Sequence, residues 1–196
     1  MKLNIQKRKE WQKKMTILRP IKEDELEMIM NWRMMPEITK YMYTDPQLTI
    51  EGQRQWYHSL QNRKDMIAFV IEVDDVPSGI LNITDIDYVN KHCTWGYYVA
   101  VKENRSLKLA MALEWNLYDY VFDVLGMHKL EGEIFSFNKG VLRIHQMCGS
   151  TIEGVLKDHI NKNGEFYDVT ITGITKEDWY NLKEKYEYEK ISFLTK

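Results

Sequence analysis

The chain has 196 residues, 44% hydrophobic and 29% charged, a balance that supports one globular core and excludes a disordered chain. Its formal charge is -2 and its pI about 6.2, which gives no overall attraction to nucleic acid or to anionic membrane. No apolar run is long enough to insert in a bilayer, and the N-terminus lacks the apolar core of a signal peptide. Cys93 and Cys148 form no C-x-x-C pair, so no metal or disulfide is expected and a reducing cytoplasm is the expected location.

Residues 1–14 read as a basic N-terminal extension. Lys2, Lys7, Arg8, Lys9, Lys13 and Lys14 are opposed only by Glu10, and the segment is expected to be solvated, ahead of one domain over 15–196. Thr16 to Pro20 is short, apolar and stopped by proline, a strand. Ile21 to Arg33 carries Leu26, Ile29, Met30 and Arg33 at helical spacing, with Glu23, Asp24 and Glu25 suited to its first turn and Pro36 ending it. Thr49 caps a second helix with Trp56 and Leu60 on one face.

The period then changes. Ala68 to Val73 and Ile80 to Ile86 read as strands joined by a turn over Asp74 to Gly79, and Cys93 to Val101 as a third strand. Leu107 to Phe122 is helical, through Leu109, Ala112, Leu113, Leu117, Tyr120 and Val121. Lys129 to Phe135 is a strand, and Lys139 to Met147 a helix ended by Gly149. Ile152 to Lys157 and Phe166 to Ile174 form a hairpin about Asn163 and Gly164, and Thr175 with Asp178 opens a last polar helix. This order predicts a mixed sheet covered by helices.

The chemistry concentrates at the strand-to-helix junction from Gly96 to Ala110. A helix N-terminus offers unpaired N–H groups and a partial positive charge, and Lys102, Arg105 and Lys108 add full charges around it, so the place suits a pyrophosphate. Asn138, Arg143 and His145 lie on a helix expected to return beside the same junction. Trp95, Tyr97 and Tyr98 are divided by strand alternation between core and ligand groove. Cys93 and Cys148 have no basic neighbours that mark a reactive thiolate, and packing is their expected role.

The junction resembles the GNAT acetyltransferases, whose phosphate loop reads Gln/Arg-x-x-Gly-x-Gly/Ala. Here it is Arg105-Ser106-Leu107-Lys108-Leu109-Ala110, with Lys108 where glycine is usual. The run from Asn138 to Gly149 is similar to the family's Asn-x-x-x-x-x-x-Tyr-x-x-x-Gly helix, with His145 in the tyrosine position. The resemblance implies an α/β (α+β) fold, with a mixed, mostly antiparallel sheet of about seven strands and helices on both faces. It implies acetyl-CoA bound by Tyr98, Val99, Ala100 and Val101 of the strand, by the loop from Arg105 to Ala110, and by Asn138 and Arg143. It also implies direct attack by an amine, with His145 as the acid that protonates the departing sulfur. Thr94 stands where many relatives place a glutamate base. Asp85, Asp87 and His92, acting through water, remain alternatives beside an amine that binds already neutral.

A narrower resemblance is to the PseH group, which acetylates a UDP-linked amino sugar on the way to pseudaminic acid. It is carried by Asn31 to Met42, Asn90 to Tyr98, Leu125 to Leu130, Glu153 to His159 and Asn163 to Val169. By that likeness Arg33, Met42, Gln53, Asn90, Lys91 and Tyr98 are expected to line a pocket for a UDP-amino sugar, and assembly into a homodimer stays open. Two other readings compete. One is an acetylase of protein N-termini, like RimJ and RimL, or of polyamines or antibiotics. The other is a non-catalytic module that binds acyl-CoA.

Overall fold

The computed structural model describes residues 15–195, so the basic extension at 1–14 lies outside the described residues. Among the described residues there are eight strands: β1 (Thr16–Pro20), β2 (Ile67–Val73), β3 (Val76–Asp87), β4 (His92–Val99), β5 (Lys129–Phe135), β6 (Thr151–Lys162), β7 (Glu165–Thr175) and β8 (Ser192–Phe193). They form one sheet in the order β6-β7-β5-β4-β3-β2-β1-β8. Neighbours are antiparallel except β4–β5 and β1–β8, which are parallel. The mixed, mostly antiparallel sheet is as expected. The eighth strand exceeds the expected seven because two residues show no period to read.

Alternation along the strands sends side chains to two cores. On one face Leu81, Ile83 and Cys93 are buried beneath α4 (Leu107–Asp119), α5 (Lys139–Cys148) and α6 (Lys176–Leu182), with Leu113, Leu117 and Tyr118 of α4 fully buried at helical spacing. On the other, Val70 and Ile80 pack against Leu26, Ile29 and Trp32 of α1 (Leu26–Arg33) and against α3 (Ile50–Leu60). Arg19 fastens α1 to the sheet: it donates to Glu25 from Nη1 at 2.9 Å and to Glu72 of β2 from Nε at 2.6 Å.

The structure changes several boundaries. Pro36 does not end a helix; α1 closes at Arg33 and Pro36 opens the one-turn α2 (Pro36–Thr39), where its missing N–H costs nothing. The β2–β3 turn is only Asp74–Asp75, both at positive φ, the left-handed pair that matches strand twist, so Val76 to Gly79 belong to β3. α4 is capped by Ser106 and passes at Tyr120–Val124 into a wider π-helical turn. Thr49 and the Thr175–Asp178 capping box open their helices, and Gly149 at φ 109° ends its own, as expected.

Candidate active site

The parallel pair β4–β5 is in register only at His92–Lys129, Cys93–Leu130 and Thr94–Glu131. Beyond Thr94, β4 stays with β3 as far as Val99–Gly79, while β5 stays with β7 as far as Phe135–Val169. The two strands part, and the backbone of β4 from Trp95 onward loses its neighbour on that side. Trp95 lies at the parting, with its Nε1 3.6 Å from where a Cβ on Gly132 would stand. An extended ligand with amide groups can add to such an open strand edge.

The end of β4 is set by β3. Ile71 pairs with Gly79 and Glu72 with Pro77, so Ser78 is an extra residue, a bulge. Its carbonyl accepts from Ala100 N at 2.7 Å and Val101 N at 3.2 Å, and its hydroxyl accepts from Asn104 at 2.7 Å. Gly79 passes so close that a Cβ there would stand 2.0 Å from the Tyr98 carbonyl oxygen. The chain then turns into α4, where Ser106 Oγ accepts from Leu109 N at 3.1 Å and Leu107 and Lys108 are exposed. A helix start leaves its first amides without intrahelical acceptors, the groups a phosphate uses.

The charges of this loop are partly committed. Arg105 donates to the carbonyls of Val99 and Ala100 at 2.7 and 3.0 Å. Glu37 of α2 lies 3.2 Å from Lys102 and 3.7 Å from Arg105. Lys108, at the usual glycine position, is largely exposed and reaches Glu189 at 3.7 Å. Asn138 begins α5 without capping it with its side chain, and Arg143 is exposed on the outer side of that helix.

On the α1–α3 face, Tyr98 and Met42 pack into one cluster with Trp32. Arg33 donates from Nη2 to Thr44 Oγ1 at 3.0 Å, while its buried Nη1 has no partner among the described residues. Burial lowers the Arg33 pKa against the opposing influence of Tyr98 and Asp45; burial likewise raises that of Tyr98. Glu37 does not take Arg33, being turned to Lys102 and Arg105. Beside this cluster in β3, Asn82 is opposite Gly96, and its buried Oδ1 is also unpartnered. Nothing lies within 4 Å of where a Cβ on Gly96 would stand, so there is open space above it. Gln53 is buried in the first turn of α3.

Asn90 and Lys91 do not join this cluster. They form the β3–β4 turn at the opposite end of β4, roughly 20 Å from Tyr98 at strand rise. Asn90 is used locally, its side chain donating to Asp87 at 2.7 Å, and Lys91 takes the left-handed conformation of the turn, φ 60°. Sequence likeness grouped residues that the strand's length separates.

His145 is buried on the α4–α5 face, with its ring edge-on to Trp95 at 5.2 Å between centroids. Its Nδ1 lies 2.9 Å from Oε1 of Glu114, a carboxylate sealed within α4. Tyr118 donates to the same oxygen, and its hydroxyl is 2.8 Å from Ser150 Oγ. Sequence reasoning passed over Glu114, although an acid four residues after Ala110 on a buried helix face is a visible signal. Cys93 and Cys148 are buried and free; burial raises the Cys93 thiol pKa to about 12, so neither is a nucleophile at neutral pH.

At the parting of the strands Thr94 Oγ1 donates to Asp85 at 2.8 Å, and Asp85 is held at φ 51° within a register shift of β3. Asp87 is occupied by the amides of Val89 and Asn90, and His92 lies 3.5 Å from Glu131. Among the described residues there is no cluster of His, Cys, Asp and Glu that holds a metal, and no helix long and apolar enough to cross a membrane.

Comparison with known proteins agrees with this geometry. Residues 16–151 match the family described as "Acetyltransferase (GNAT) domain". An uncharacterized N-acetyltransferase, YokL, from the SPbeta prophage of Bacillus subtilis, is 31% identical over 130 residues, 65% of this chain and 72% of YokL. Acetyltransferase PseH of Campylobacter jejuni is 26% identical over 139 residues, 70% of this chain and 84% of PseH. Spermidine N-acetyltransferase of Vibrio cholerae, crystallised with CoA and spermine, superposes with a TM-score of 0.79 at 22% identity, over 85% of this chain and 98% of that one. PseH and the spermidine enzymes are thus similarly distant, and the narrower PseH likeness is not singled out. The family match spans most of the chain, which therefore belongs to the GNAT acetyltransferases and is an acetyl-CoA-dependent N-acetyltransferase.

Proposed function

We propose that the acetyl acceptor is the amino group of a UDP-linked amino sugar, of the kind used in pseudaminic acid-like surface glycans. The observation that supports this most is Arg33. A buried guanidinium nitrogen without a partner is costly, and a diphosphate or a uracil carbonyl would satisfy it. Tyr98 and Met42 beside it offer an aromatic and an apolar face to a planar base.

In this reading acetyl-CoA supplies the acetyl group, and Tyr98 and Val99 at the end of β4, the following Ala100 and Val101, and the first turn of α4 hold it. The remaining steps belong to the chain's own side chains. The acceptor side positions the amine above Gly96, with Asn82 Oδ1 free to receive one of its N–H groups. Of Asp85, Asp87 and His92, only Asp85 is hydrogen-bonded to Thr94, which makes the Thr94–Asp85 pair the route for the amine's surplus proton. His145 supplies a proton on the other face of the sheet.

Calorimetric titration of UDP tests the acceptor. Binding weakens at least about tenfold in Arg33→Ala while acetyl-CoA binding is kept; equal UDP affinity in the two proteins removes the assignment. A second reading, a polyamine acceptor, is favoured by the likeness to the spermidine N-acetyltransferase of Vibrio cholerae, although the cavity of about 610 Å³ beside Phe135, Phe137 and Tyr167 sets Lys40 and Lys162 against Glu165 and does not suit a polycation. Spermidine binding without UDP binding would select it.

A further inference from the structure

The α4–α5 interface encloses a carboxylate, Glu114, among a small set of buried polar groups. Glu114 has no exposed surface, and its Oε2 has no hydrogen-bond partner among the described residues. Removing a carboxylate from water is expensive, and an apolar residue would fill the position more cheaply. The groups around it come from three elements: Tyr118 from α4, His145 and Cys148 from α5, and Tyr97 from β4, with Ser150 following α5. Burial, and then the charge of Glu114, push the Tyr97 and Cys148 pKa values up, so these two stay neutral. His145 is the one neighbour able to carry an opposing charge.

We propose that Glu114 is the positioning residue of the acid, holding the His145 ring by its Nδ1–H so that Nε2 carries the transferable proton. The inference rests on His145 being the acid in acetyl transfer. His145 is not a detached ring: Nδ1 is fixed at 2.9 Å from Glu114, and the edge-on contact with Trp95 at 5.2 Å fixes the ring plane. Trp95 is also the residue at which β4 parts from β5. Nε2 has no partner among the described residues and is not one of the sealed, unpartnered atoms. The proton account closes as follows. The C–S bond breaks with its electron pair going to sulfur, the sulfur takes the proton from Nε2, and the ring is left neutral with its remaining proton on Nδ1, bonded to Glu114. The amine forms the C–N bond with its lone pair and releases one proton to solvent by way of the Thr94–Asp85 pair, and the ring recovers one from solvent. Glu114 touches neither substrate; it sets the tautomer and balances the charge of the doubly protonated ring.

The test joins kinetics with ¹⁵N-histidine NMR of the full chain. In the wild type the neutral ring shows the Nδ1–H tautomer. Glu114→Gln, whose amide oxygen still accepts from Tyr118 and from Nδ1–H, keeps that tautomer but carries no charge to balance the doubly protonated ring, and lowers kcat between about ten- and a hundredfold with acetyl-CoA affinity unchanged. Tyr118→Phe keeps the signature, since the carboxylate remains. A purely structural network would instead lower the melting temperature in both variants and leave the Glu114→Gln kcat intact. Should Glu114→Gln not fold, the wild-type spectrum decides alone: a neutral ring protonated at Nε2 overturns the proposal. Full turnover in His145→Gln would remove the acid reading itself, whereas loss there together with normal kcat in Glu114→Gln would remove only the role of Glu114.

Discussion

Arg105 donates from Nε to the carbonyl of Val99 at 2.7 Å, and so draws the start of α4 back onto the end of β4. The residue read as a charge for pyrophosphate is also a clamp on the strand that receives the cofactor. Arg105→Ala therefore raises the acetyl-CoA KM by about tenfold, and Arg105→Lys restores only part, because one ammonium does not reproduce the fork to Val99 and Ala100. Initial rates against acetyl-CoA check this.

Gly79 makes a sharper prediction. A methyl group there meets the Tyr98 carbonyl, which is backbone and has no room to swing away. Gly79→Ala separates β3 from β4 and costs about 3 kcal/mol. Calorimetric melting shows the loss of stability, and titration with CoA shows weakened binding, since the amides of Ala100 and Val101 are held by the neighbouring Ser78.

Arg33 sets stability against function. Burial lowers its pKa, and one nitrogen is left without a partner. Arg33→Met removes that cost and keeps the packing, so the melting temperature rises by about 2–4 °C while the acceptor KM climbs. A lowered melting temperature with an unchanged acceptor KM would show that Arg33 is a structural residue.

The Arg19–Glu25 pair gives stability a pH dependence. Burial alone would raise the Glu25 carboxyl, but the hydrogen bonds from Arg19 and from the Lys22 amide outweigh it and hold the pKa below the ordinary 4.5. A depressed carboxylate stabilises the fold above its unfolded pKa and loses that contribution as pH falls through the folded one. Glu25→Gln costs about 2 kcal/mol at pH 7, and the gap in melting temperature to the wild type closes as the pH is lowered below 4.5.

The legible parts of the molecule were those fixed by local chemistry. The Asn138–Gly149 helix announces itself through its stripe of Leu142, His145 and Cys148 and its glycine stop. The two hairpin turns, Asp74–Asp75 and Asn163–Gly164, are written in residues that tolerate positive φ, although the first was read too long because Pro77 and Gly79 sit inside a strand. The parts that were not legible depend on partners distant in sequence. Nothing near Ser78 says that it anchors Ala100 and Val101, and nothing near Glu114 says that His145 stands 2.9 Å away. Asn90 and Lys91, which the likeness to a relative groups with Tyr98, lie at the other end of β4, a separation that a linear stretch of sequence does not display.

The most direct test is release of free thiol from acetyl-CoA with the purified chain against a panel of UDP-amino sugars, polyamines and peptides. The account predicts turnover with a UDP-amino sugar, competitive inhibition by UDP, and a raised acceptor KM in Arg33→Ala. Turnover confined to polyamines or peptides, untouched by UDP, would contradict it.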